Sequence, residues 1–126
     1  MNAFALPSRF VHPPVVQLLN GSSGGKIYRL AEPVDYVTSV LPYPLIHIPA
    51  GFESDGASVP RLFWPWFPPS GPYTGAAIVH DWLCVERTCT PMEAHAIFDE
   101  AMRDLRVPSW QRRPMALAVR WFGPRW

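Results

Sequence analysis

Sixteen prolines scattered through 126 residues constrain this chain more than any other feature. They are not massed in a tract, so the chain is no low-complexity linker. Each fixes its own φ, removes a backbone donor and biases the preceding residue away from helix. They act as punctuation. From Met1 to about Phe67 the sequence reads as short extended pieces, VVQLL, KIYRL, VDYVTSV and LIHIP, each of strand composition. NGSSGG between the first two is a turn or a loop. The pairs Pro42/Pro44 and Pro68/Pro69 exclude helix nearby and mark strand edges or turns.

From about Pro72 the character changes to three helices. The first runs from roughly Tyr73 to Glu86. The second opens with TPME, in which Thr90 is the N-cap, Pro91 fits the first turn and Glu93 completes a capping box. Ala94, Ile97, Phe98, Ala101 and Leu105 then follow at core spacing, and Val107-Pro108 ends the helix. The third runs from about Ser109 to Phe122; Pro114 is tolerable only near its start, and Gly123-Pro124 stops it. The expected architecture is α+β: a small Pro-interrupted antiparallel β-sheet followed by a C-terminal unit of about three helices. One domain over 1–126 is expected, with 1–67 mainly strands and loops and 72–123 helical. No internal repeat is visible.

Apolar residues make up 48% and aromatics 13%, enough for a dense core. A net charge of +1 argues against a general electrostatic grip on nucleic acid. Arg103, Arg106, Arg112, Arg113, Arg120 and Arg125 make the C-terminal segment locally basic, and their interleaving with Trp and Leu reads as solvated helix faces. No stretch reaches the roughly 20 apolar residues of a transmembrane segment. MNAFALPSRF lacks the pattern of a signal peptide, so synthesis in a cytoplasm is expected. Cys84 and Cys89 make no disulfide framework; free thiols are the first reading and a mutual bridge the second.

The chemistry centres on His80-Asp81, inside the apolar run AAIVHDWL. Burying an imidazole beside a carboxylate costs several kcal/mol unless hydrogen bonds, an opposite charge or a metal offset it. His80 and Cys84 are four apart and share a helical face, with Asp81 on a neighbouring one. His95 and Asp99 have the same spacing on the second helix. Two helices joined by a short loop are normally antiparallel, so the two His/carboxylate pairs meet across one seam. His80, Asp81, His95 and Asp99 are thus a candidate donor set for zinc first, or calcium where carboxylates dominate. The alternative is a hydrogen-bonded His-Asp lock between the helices.

A second constellation is IPAGFESDGASVPRLFWPWFPPSG. Asp55-Gly56 is a strong turn signal, and Ser54, Asp55 and Ser58 cluster oxygen donors. Asp55 is a candidate third ligand or general base. Arg61 pairs with Asp55 or takes an anionic group, and Trp64 and Trp66 form an aromatic wall. The alternative is a structural turn with Arg61 packed under the tryptophans. Ser58 lies in no nucleophile elbow.

IPAGFESDGASVPR, then W..FPPSGPYTGAAIVHDWL and a helix ending IF..AM..L.V, resembles a family of small proteins from tailed phages and prophages, catalogued as domain of unknown function 1353. The resemblance covers roughly Leu45 to Gly123. It implies a recurrent polar set at Asp55, His80, Asp81 and position 95. The family pattern has Thr where this chain has Ser54, an aromatic at Cys84, and Asp at His95. The last change swaps a carboxylate for an imidazole and so shifts the preferred metal. A fainter likeness is to secreted phospholipase A2, whose helical His-Asp provides a base and a calcium ligand; Asp99 would take the part of that family's further Asp. The Gly-rich calcium loop and the disulfides are missing here.

Two functions follow as expectations. One is a metal-dependent hydrolase acting on the host envelope, peptidoglycan amide or lipid ester, with catalytic Asp55, His80 and Asp81 and substrate contacts from Arg61, Trp64 and Trp66. The other is a non-catalytic virion or tail-associated protein that docks other phage structural proteins, its His/Asp cluster a structural metal site or lock. Either is made in the host cytoplasm, the second being carried in the virion.

Overall fold

The computed structural model describes residues 9–19, 28–54, 65, 72–122 and 126. Six strands are followed by three helices: β1 (Arg9–Phe10), β2 (Val16–Leu18), β3 (Tyr28–Leu30), β4 (Val34–Val37), β5 (Leu45–Ile48), β6 (Glu53–Ser54), α1 (Thr74–Glu86), α2 (Pro91–Asp104) and α3 (Ser109–Phe122). The α+β class is as expected. The single expected sheet is instead two antiparallel sheets of three strands, ordered β1-β4-β5 and β2-β3-β6. Proline accounts for the division. Pro13-Pro14 interrupts the chain between β1 and β2, and Pro33 precedes β4, so consecutive segments feed different sheets.

In the first sheet Val34 pairs with Ile48 and Tyr36 with Ile46, and all four side chains are buried. Asp35 and His47 pair on the opposite face, their Oδ1 and Nδ1 atoms 2.6 Å apart. This is the period-two alternation of a half-buried sheet. The strand expected over VDYVTSV stops at Val37, because Thr38 and Ser39 turn their polar groups toward α2.

Helix α1 buries five consecutive residues, Ala76 to His80, together with Leu83. A helix buried nearly all round is a central element, and α1 packs on both α2 and β6. Full burial of Ile78 or Leu83 contributes roughly 1.5–3 kcal/mol each. The helix ends at Arg87, whose αL backbone (φ 55) lets its N–H bond the Leu83 carbonyl. Gly75 is required at the start: a Cβ there would lie 2.8 Å from Pro14 Cγ and 3.3 Å from Leu105 Cδ1.

Helix α2 begins with the capping box expected from TPME. The Thr90 hydroxyl accepts from the Glu93 N–H, and the Glu93 carboxylate accepts from the Thr90 N–H. It ends at Asp104, before the expected Val107-Pro108, because Arg106 adopts a left-handed turn (φ 59). Helix α3 packs on α2. Pro114 lies within its second turn, where the bond from position 114 to the Trp110 carbonyl cannot form. Trp126 lies beside the α1–α2 link: its Nε1 donates to the Cys89 carbonyl at 2.8 Å, and Arg87 Cζ stands 5.8 Å from the ring centroid.

Candidate functional site: an imidazole pair between two helices

The link between Glu86 and Pro91 is short, so α2 folds back on α1 and the middle of one faces the start of the other. That brings His80 of α1 and His95 of α2 together. His80 Nε2 and His95 Nδ1 are 2.9 Å apart, a direct hydrogen bond in which one ring donates and the other accepts. Both residues are buried, at 9% and 6% exposure. The Phe98 ring covers His80, with centroids 5.2 Å apart. Burial first, and His95 second, lower the His80 pKa to about 4. The ring is therefore neutral at pH 7, the form that hydrogen-bonds as one donor and one acceptor and that ligates metals.

Cys84, one turn along α1, places Sγ 3.8 Å from both His80 ring nitrogens. Equal distances mean that the sulfur packs on the ring without aiming at one nitrogen. Cys84 and Cys89 are free thiols. Burial, then Glu93, raises the Cys89 pKa, which makes it a poor nucleophile.

The expected facing set is only partly assembled. His80 and His95 meet. Asp99 does not join them: its Oδ2 accepts from Arg103 at 2.8 Å and its Oδ1 from Arg112 at 2.8 Å. Two guanidiniums from α2 and α3 hold that carboxylate. Arg103, four residues on, was the readable signal of this pairing. Asp81 is half-buried beside the pair in sequence, with Oδ2 out of contact with solvent. Asp55, Arg61, Trp64 and Trp66 lie outside the described residues. The chain reaches the last described position before Asp55 at Ser54, which is 1% exposed and belongs to the strand that packs on α1. Among the described residues, no three His, Cys, Asp or Glu side chains are arranged to hold a metal ion.

A second polar cluster escaped sequence reasoning. Glu100 of α2 accepts from Tyr36 Oη (2.9 Å), Thr38 Oγ1 (2.8 Å), the Ser39 N–H (3.1 Å) and the Ser39 hydroxyl. Tyr36 Oη also lies 2.8 Å from Asp104 Oδ2. Burial, followed by these two carboxylates, drives the Tyr36 pKa far upward, so the phenol keeps its proton. The cluster clamps α2 onto the end of β4. Beside it runs an open groove of about 350 Å³ lined by Ser39, Val40, Ala96, Asp99, Glu100, Arg103 and Asp104. The carboxylates at i, i+4 were visible in the sequence; their donors, more than sixty positions away, were not.

Residues 28–119 match the family model described as "Protein of unknown function (DUF1353)". The chain belongs to the DUF1353 family. The match takes in β3 through most of α3, and so includes both the imidazole pair and the Glu100 clamp. Two curated relatives come from Sinorhizobium fredii (strain NBRC 101917 / NGR234). "Uncharacterized protein y4jT" is 37% identical over 81 residues, 63% of this chain and 24% of that protein. "Uncharacterized protein y4iH" is 36% identical over 76 residues, 59% of this chain and 32% of that protein. This DUF1353 chain thus spans a quarter to a third of these relatives' lengths. No solved structure matches it.

Proposed function

We propose that this DUF1353 chain is a phage- or prophage-type protein that hydrolyses envelope material, a peptidoglycan amide or a lipid ester, with metal assistance at the α1–α2 seam. The supporting observation is the meeting of two buried imidazoles from two helices at 2.9 Å, His80 being held neutral by its burial. His80 Nε2 and His95 Nδ1 would hold the ion between them once the proton of their hydrogen bond moved to the outer nitrogen of its ring or to solvent, and the ion would supply Lewis acidity. Two nitrogens favour zinc over calcium, which takes oxygen ligands. His80 and His95 are the nitrogen donors in this reading. Asp81 is the carboxylate that would complete the site or take a proton from water; Asp55 would join it in that role and Arg61, Trp64 and Trp66 would contact the substrate, as the sequence reading has them. Asp99 is left out, because Arg103 and Arg112 occupy it.

A second reading is favoured by the burial of both rings and the cover from Phe98. Here the imidazole pair is a hydrogen-bond lock in a non-catalytic virion or tail protein that docks other phage structural proteins. The test is metal content by mass spectrometry on untagged protein, with hydrolysis of peptidoglycan and of phospholipid vesicles followed before and after chelation. Stoichiometric zinc, lost together with activity in folded His80→Ala and His95→Ala, carries the hydrolase. Metal-free, inactive protein whose His80→Ala variant only melts earlier carries the lock.

A further inference from the structure

Helix α3 has two apolar faces, and the fold uses one. At about 100° per residue, Gln111, Met115 and Val119 fall on one side, and there Gln111 and Met115 are buried, with Val119 packed against the core. Trp110, Pro114, Leu117 and Trp121 fall within an arc of roughly 60° on another side. This second stripe faces solvent: Trp110 is 58% exposed, Leu117 45% and Trp121 61%. The exposed Arg113 and Arg120 flank it along one edge.

Charge identifies what fits this face. Residues 105–126 contain five arginines and no acidic residue, whereas the rest of the chain sums to −4. Arg112 is committed to Asp99. Tryptophan and leucine along one stripe, edged by arginine, match a helix lying in the plane of a bilayer surface, with indoles at the headgroup boundary and guanidiniums on anionic headgroups. At 14 residues the helix is about 21 Å long, too short to span a bilayer. We propose that the outer face of α3 binds an anionic lipid surface through Trp110, Leu117 and Trp121, with Arg113 and Arg120 on the headgroups. The inference rests on α3 alone and is independent of the reading given to the imidazole pair.

The experiment is sedimentation of the full chain with phosphatidylcholine vesicles that either contain or lack phosphatidylglycerol. Binding is expected to the anionic vesicles only and to weaken with added salt. Arg113→Gln/Arg120→Gln is expected to lower the partition coefficient on the order of tenfold or more. Trp110→Ser/Trp121→Ser is expected to abolish binding at an unchanged circular dichroism spectrum. If either double variant unfolds, quenching of the native chain's tryptophan emission by brominated anionic lipid gives the answer, and absence of quenching overturns the proposal. It is equally overturned by equal binding to neutral vesicles, by binding that survives loss of both tryptophans, by binding to polyglutamate but not to vesicles, or by a dimer in sedimentation equilibrium that Trp110→Ser/Trp121→Ser dissociates.

Discussion

His80 Nε2 and His95 Nδ1, on different helices, share a single proton across 2.9 Å inside the α1–α2 seam. Removing one ring leaves a buried nitrogen on the other with its partner gone. His80→Ala and His95→Ala are each expected to destabilise by about 2 kcal/mol, and the double variant by less than the sum, with a coupling of about 1 kcal/mol. Urea denaturation of the four proteins measures it. Strict additivity would show that the two rings do not act as a unit.

The same burial sets a pH dependence. The His80 pKa is about 4 when folded against 6.5 as its ordinary value. Between these values the unfolded chain binds the proton and the folded chain does not, so unfolding takes up protons. Stability from this group is complete above about pH 6.5 and is lost as the pH falls toward 4, by a few kcal/mol. Replacing the ring by His80→Gln is expected to flatten the fall in denaturation midpoint over that window. An unchanged slope would place the titrating group elsewhere.

Glu100 accepts from three residues of one segment, and no single substitution should weaken the sheet–helix junction more. Glu100→Gln turns an acceptor-only group into one that points an N–H₂ at donors, for an expected loss of about 2–4 kcal/mol. Tyr36→Phe removes one donor and leaves the carboxylate satisfied by Thr38 and Ser39, for an expected loss of about 1 kcal/mol. Thermal melts compare the two; equal losses would mean that the phenol carries the clamp.

Gly75→Ala opposes two effects. Alanine favours helix over glycine by about 1 kcal/mol. The new Cβ, however, would sit 2.8 Å from the Cγ of Pro14, a ring with little freedom to retreat. Overpacking of this kind costs about 1–3 kcal/mol, so net destabilisation is expected in calorimetry. A raised melting temperature would show that the Pro14 segment moves aside freely.

Much of this was legible in the sequence, and what was missed has a common cause. The start of α2 was readable because a capping box is local, written in Thr90, Pro91 and Glu93. The centres of β2 to β5 were readable from composition. β1 and β6 were not, since strands of two residues show no periodicity. The meeting of His80 and His95 followed from a short link and matched spacings. The hold of Arg112 on Asp99 was not readable, because it reaches the carboxylate from another helix. The donors of Glu100 were invisible for the same reason: pairings beyond one helical turn depend on the tertiary fold.

The Glu100 clamp also governs when the molecule can be completed. Its hydrogen bonds join residues 61 to 64 positions apart, and the Tyr36–Asp104 contact adds one of 68. Contacts at such separation incur loop-closure entropy before they return any energy, and topologies rich in them fold slowly. During synthesis, which proceeds from the N-terminus, Tyr36, Thr38 and Ser39 emerge about sixty residues ahead of the carboxylate that receives them. The polar end of β4 therefore stays without its carboxylate until the second helix has left the ribosome.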